Sequence, residues 1–341
     1  MKLRSLLLLV LGLAPVVFAQ RPGPQQRQQD GDHWLPEKLA ASQPVRGVFF
    51  LGIGAFQNAD WRKLAEETDC ALVFAAGDVR PGQRDRWLKQ VAARTNRPEI
   101  EHAGIVLTGL SSGGGSAMLA ATEMPDRMIA VIPVHAPVWW AIAAGAESEA
   151  KTDVPEIQVN LARSIKLSAG GKPPLLDVPL LFIGASDDSI TPRWEWSLHN
   201  GNKHQAIWSC YVQPGAEHSP MGDLTFARAW LKAVIKLRVP AEIPIGKPYR
   251  LNSIERKSGW LGTYQMSGNG QPVEWPVNQV WKRAEGGNPQ AGKAKVSYSL
   301  ANAKITPYAD YTGDQERAIW LPNEDLAKQW LENHQAKAVR Q

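Results

Sequence analysis

The sequence predicts an α/β protein: a mostly parallel sheet with helices on both faces, followed by a C-terminal extension. Three observations predict it. Short apolar runs alternate with helical stretches from about residue 45 to 238, the signature of βαβ units. The runs are nearly continuous rather than alternating, as expected of strands covered on both faces. Past Val239 the alternation stops, and Gly, Pro, Asn and aromatic residues take over.

Each element has its own signal. Val45 to Leu51 (VRGVFFL) is a buried strand ending at Gly52, and Asp60 to Thr68 is helical. Ala71 to Ala75 is a second strand, broken by Gly77. Gln83 to Thr95 is an amphipathic helix with Trp87, Val91 and Ala92 on one face. Gly104 to Thr108 is a third strand, and Ser112 to Glu123 is a helix stopped by Pro125. Met128 to Val134, Val178 to Ile183 and Gln205 to Val212 complete six strands. Pro220 to Leu237 reads as a long helix with Pro220 in its first turn. The extension shows one clear helix, Asn323 to His334, and is either a small subdomain or an arm wrapping the main domain.

Composition narrows the class. The 341 residues are 44% hydrophobic and 21% charged, which excludes disordered, collagen-like and coiled-coil chains. Two cysteines, Cys70 and Cys210, exclude a disulfide scaffold, and their strands need not be neighbours. The 14 tryptophans are twice the phenylalanine count of 7.

The N-terminus reads as a secretory signal peptide over 1–19. Lys2 and Arg4 form a positive segment, Leu6 to Phe18 an apolar run, and Val17-Phe18-Ala19 a small-residue cleavage site. The run is short for a bilayer span, and no stop-transfer pattern follows Gln20, so no stable membrane insertion is expected after cleavage. Gln20 to His33 reads as a mobile linker. Removing Lys2 and Arg4 takes the formal charge from +5 to +3 with no basic stripe, so no nucleic-acid partner is expected. Secretion or a periplasmic address follows.

Gly109-Leu110-Ser111-Ser112-Gly113 matches G-x-S-x-G between a strand and a helix, the context of a nucleophile elbow. Gly109 and Gly113 are expected where side chains would collide with the neighbouring strand and helix. A serine nucleophile needs a base, and the base an orienting acid, in the chain order Ser, Asp or Glu, His. Asp187 and Asp188 follow the Val178 to Ile183 strand; both fit, with Asp188 favoured because it opens an Asp-x-Ile-x-Pro turn that resembles the acid loop of cutinase-like polyester hydrolases. His218 lies between the last strand and last helix, where the base belongs, whereas His135 is out of order for that role. Oxyanion donors are expected from Ser112 and from the Gly52–Phe56 loop, with Gly54 chosen and Ile53 and Ala55 close behind.

These motifs resemble the α/β-hydrolase superfamily, especially its polyhydroxybutyrate-depolymerase-like, feruloyl-esterase-like and dienelactone-hydrolase-like secreted esterases. The resemblance covers about residues 45 to 238 and rests on GLSSGGGSAMLAATEMPDRM, GASDDSITP and GAEHSP. It implies an α/β-hydrolase fold and serine ester hydrolysis through an acyl-enzyme, with neither metal nor cofactor and an ester substrate as partner. The expected domains are a linker over 20–40, a catalytic domain over 41–240 and the extension over 241–341. A first strand pair before Val45 is not evident, which suggests a trimmed sheet. In polyester hydrolases an aromatic near the position of Trp139 or Trp140 lines the acyl cleft; the alternative is that both pack under the insertion from Ala141 to Asp177, itself a lid candidate. A serine peptidase on the same fold, or a binding protein that kept it, are the rival readings.

Overall fold

The computed structural model describes residues 31–75, 81–136, 173–188, 191–269, 271–272 and 297–335. Seven strands form one sheet in the order β1-β3-β2-β4-β5-β6-β7. They are β1 (His33–Trp34), β2 (Gly47–Leu51), β3 (Cys70–Phe74), β4 (Ile105–Leu110), β5 (Met128–Val134), β6 (Leu180–Ala185) and β7 (Trp208–Gln213). All pairings except β1 with β3 are parallel. The sheet is mostly parallel, as the sequence predicts, and the six strands read from the sequence are the six parallel ones. Every residue of β2, β3, β5, β6 and β7 is buried, so the continuous apolar runs do mark strands covered on both sides.

Adjacent residues of one strand show where the helices lie. Successive side chains point to opposite faces. Phe49 meets Trp61 of α2 (Ala59–Thr68) at 5.8 Å between ring centroids, and Phe50 meets Trp87 of α3 (Pro81–Thr95) at 6.3 Å. The two helices therefore cover opposite faces. Arg228 of α6 (Thr225–Arg238) reaches Asp60 and Glu67 of α2, which puts α6 beside α2. Buried Arg84 of α3 donates to the Ala120 carbonyl of α4 (Ser112–Ala121), which joins α3 to α4. A one-turn helix α1 (Ile53–Phe56) follows β2, and α5 (Glu195–Lys203) precedes β7.

Three sequence expectations need correction. The linker does not extend to His33: β1 pairs with β3, and the Gly31 N–H donates to the Phe74 carbonyl. The sheet thus has an edge strand before Val45, too short to show as an apolar run. Arg97 holds the following segment by donating to the carbonyls of Leu39, Ala40, Ala41 and Gln43. The last helix of the main domain starts at Thr225, not Pro220, because residues 219–224 turn before it begins. The Gly52–Phe56 segment is a helical turn rather than a plain loop.

The extension builds a second, antiparallel sheet. β8 (Trp260–Gly268) is central, with β10 (Tyr298–Pro307) on one side, β11 (Ala318–Leu321) paired at its first half, and β9 (Gln271–Pro272) at its end. Helix α7 (Glu324–Gln335) closes the chain. This unit covers β7, an edge of the main sheet that would otherwise leave backbone groups unpaired. The Trp330 indole donates to the Cys210 carbonyl at 2.8 Å, and the Val212 N–H donates to His334 Nε2 at 3.5 Å. Cys210 and Val212 are two apart, so both face the same way across the edge. Ser209 donates to the Trp320 carbonyl and accepts from the Trp230 indole at 2.9 Å. Buried Arg256 donates to Asn202 Oδ1 and to the carbonyls of Ala206, Gln315 and Ala318, tying the two units together.

Candidate active site

The elbow sits at the carboxyl end of β4. Ser111 has φ 56 and ψ −126, a left-handed conformation that costs a non-glycine residue about 1–3 kcal/mol. Three hydrogen bonds hold it there. Its N–H donates to the Val134 carbonyl at 2.9 Å, and its carbonyl accepts from the N–H groups of Gly114 and Gly115 at 3.0 and 3.2 Å. The side chain is left half-buried at the start of α4.

The glycines around it divide differently from the sequence expectation. A Cβ on Gly109 would lie 2.4 Å from the backbone of Gly113, so that glycine is required. A Cβ on Gly113 would meet nothing within 4 Å, which corrects the expected collision there. The close approach belongs to Gly114 instead, where a Cβ would lie 2.5 Å from Ala136 and 2.6 Å from the Gly109 carbonyl oxygen. The strand and helix touch one residue further along than the motif suggests.

Two loops bring the acid and the base together. His218 Nδ1 lies 2.8 Å from Asp188 Oδ2. Asp188 is buried at 5% exposure, while the His218 side chain is 39% exposed. Of the two candidate acids, Asp188 meets the imidazole; Asp187 Oδ1 accepts from the Ser186 hydroxyl at 3.0 Å. The acid loop is tied internally by Thr191, whose hydroxyl accepts from the Ala185 N–H at 2.8 Å and donates to the Ala185 carbonyl at 2.6 Å. It is tied to the base loop by the Asp187 N–H donating to the Ala216 carbonyl at 2.9 Å and the Gly215 N–H donating to Ser186 Oγ at 2.8 Å. It is tied to the extension by the Tyr298 N–H, which donates to the Ser186 carbonyl. That last tie was invisible in the sequence.

Ser112 opens α4 and Gly54 lies in α1, so both belong to first helical turns. N–H groups there have no carbonyl one turn behind them and are free to hold an anion. Ile53 and Ala55 share the same turn as Gly54. A small cavity of about 40 Å³ beside them is lined in part by Gly52, Ala75, Gly113 and Ser116. Trp139, Trp140 and most of the Ala141 to Asp177 insertion lie outside the described residues.

The sequence reading set His135 aside, yet the structure brings it into the site. It directly follows β5 with φ 43 and is fully buried, with its ring 5.9 Å from that of His218. Burial pushes its pKa down; the Asp188 carboxylate pulls the other way, and His218 adds to the lowering. Its place directly after an apolar strand neighbouring the nucleophile strand was the available signal.

Among the described residues, Cys70 and Cys210 are free thiols in β3 and β7. Four strands separate them in the sheet, roughly 24 Å at the usual strand spacing, so they cannot pair. Burial pushes the Cys70 thiol up to about 12 and Cys210 well above its ordinary value, which makes both inert.

No protein-family model and no curated protein matches the chain. Solved structures with a similar course include a ferulic acid esterase at 14% identity, covering 60% of this chain and 91% of that one, with a TM-score of 0.42. Est1E from Butyrivibrio proteoclasticus is 18% identical over 59% of this chain and 90% of its own, with a TM-score of 0.40. A fluorophosphonate-binding serine hydrolase from Staphylococcus aureus, FphF, is 11% identical over 60% and 89%, with a TM-score of 0.39.

Proposed function

We propose that the protein is a serine hydrolase that cleaves carboxylic esters through Ser111, His218 and Asp188. The observation that carries the reading is the 2.8 Å contact between Asp188 and His218 at the same sheet end as a strained serine elbow. Asp188 holds the Nδ1–H of His218 and stabilises the imidazolium. His218 takes the Ser111 hydroxyl proton through its other ring nitrogen as Oγ adds to the ester carbonyl. The oxyanion is held by N–H groups of Ser112 and Gly54. Collapse releases the alcohol, protonated by His218, and leaves an acyl-serine. Water then attacks by the same route and frees the acid.

Ser111→Ala is expected to lower kcat at least a thousandfold, on the order seen when a triad nucleophile is removed, with an unchanged melting curve. Asp188→Asn is expected to lower kcat by roughly 10³–10⁴, and Asp187→Asn by less than about tenfold. Steady-state rates on a p-nitrophenyl ester read all three. Retained turnover by Ser111→Ala overturns the assignment, and failure of Ser111 to react with a fluorophosphonate points to a binding protein. Cleavage of peptide amides in preference to aryl esters points to a peptidase. A screen over short acyl esters, feruloyl esters, acetylated sugars and polyesters identifies the substrate class. We further propose that the protein is exported, on the strength of the Lys2/Arg4 segment, the apolar run and the Val17-Phe18-Ala19 site. Among the described residues no helix is long and apolar enough to cross a membrane.

A further inference from the structure

We propose that His135, Asp188 and His218 form a binding site for a divalent transition-metal ion, zinc fitting best, and that its occupancy switches hydrolysis off. One ligand atom from each of the three residues lies within 4.8 Å of the other two. Because no two of these atoms are more than 4.8 Å apart, some point lies within about 2.8 Å of all three, and zinc–nitrogen bonds are about 2.0–2.1 Å. Closing the site therefore asks for movements of under about 1 Å, which the partly exposed His218 on its loop can supply.

A second, independent observation points to a ligand. His135 is completely buried, yet neither of its ring nitrogens makes a hydrogen bond of good geometry, although the ring approaches the Gln213 amide. Gln213 Oε1 is buried and likewise makes no hydrogen bond of good geometry. Buried polar groups are nearly always satisfied, so an imidazole without a well-formed hydrogen bond, beside a carboxylate and a second imidazole, is a place that an ion can fill. Two imidazoles and one carboxylate suit zinc, copper or nickel and not magnesium or calcium, which prefer all-oxygen sites. Gln213 Oε1 or water would complete a tetrahedral set. The 39% exposure of His218 provides the entry path.

The ion would act as an inhibitor, since the proposed reaction requires none. Binding displaces to solvent the proton shared between His218 and Asp188. The imidazole, fixed to a dication, then no longer takes the Ser111 proton. Only this effect on turnover rests on the hydrolase reading; binding does not.

Cobalt is the probe, because its visible absorption reports coordination by nitrogen and oxygen. The tag-free full chain at neutral pH is expected to bind one Co²⁺, with Zn²⁺ displacing it and Mg²⁺ not. His135→Leu and His218→Ala should each weaken binding at least about tenfold, while Ser111→Ala retains it. Saturating Zn²⁺ should stop ester turnover by the unmodified enzyme, and a chelator should restore it. Circular dichroism checks that His135→Leu folds; should it not, His218→Ala on its exposed loop carries the test. Unchanged cobalt binding in a folded His135 or His218 variant, or full turnover at Zn²⁺ saturation, overturns the proposal. Absence of any ester turnover removes the hydrolase reading instead, and the cobalt titration still decides the site.

Discussion

At the residue scale, the elbow is governed by how closely β4 and α4 approach. Gly109 faces the Gly113 backbone at 2.4 Å from where a Cβ would stand, and Gly113 itself faces open space. Gly109→Ala is therefore expected to destabilise by roughly 1–3 kcal/mol or more, through overpacking against an immovable backbone. Gly113→Ala should be neutral or stabilising by up to about 1 kcal/mol, since it only improves helix propensity. Thermal or urea unfolding of the two variants separates them. Both glycines belong to the same motif, so sequence spacing alone could not tell them apart. The choice between Asp187 and Asp188 had the same character: both residue types fit, and only the loop's path decides which carboxylate turns toward His218.

At the element scale, the acid and base loops form one tied unit. Ser186 is its knot, accepting from the Gly215 N–H and donating to Asp187, while its carbonyl accepts from the Tyr298 N–H. Ser186→Ala leaves the Gly215 N–H without its acceptor and costs about 1–3 kcal/mol locally. The expected outcome is a several-fold fall in kcat with KM nearly unchanged, read from steady-state kinetics. The two long strands of the extension, β8 and β10, escaped the sequence reading for a definite reason. β8 and β10 bury residues irregularly, carry Gly, Asn and Ser, and slip register between Ala301 and Lys304. Neither a continuous apolar run nor a period-two pattern survives, whereas α7 with its buried Leu326, Ala327 and Trp330 keeps a clear helical period.

At the scale of the whole molecule, the extension is an edge cover and a brace. Trp320 and Trp330 are fully buried in it, and the Trp330 indole donates to the Cys210 carbonyl of β7, so part of the tryptophan excess is docking material. Glu195 contributes a pH dependence here. Burial raises its pKa from 4.5 to about 7, with Arg317 opposing weakly. Between those values the folded state holds a proton that the unfolded state has lost, so stability falls as pH rises from about 4.5 to about 7 and stays lower above that. The loss is on the order of 3 kcal/mol at most. Glu195→Gln is expected to remove this decline and to melt higher than the unmodified protein above neutrality. Melting curves across that range, taken on both proteins, check it; parallel declines would discount Glu195.

The sequence by itself determined the parallel sheet, its helices and the order of one serine, one aspartate pair and one histidine. It could do so because continuous burial and tight turns leave local signatures in residue type. Only the tertiary structure decided which aspartate meets His218, that His135 joins them, that Gly114 rather than Gly113 is the tight contact, and that Tyr298 from the far end of the chain braces the acid loop. Each of these depends on which backbone segments lie side by side in space, and no local pattern of residues encodes that.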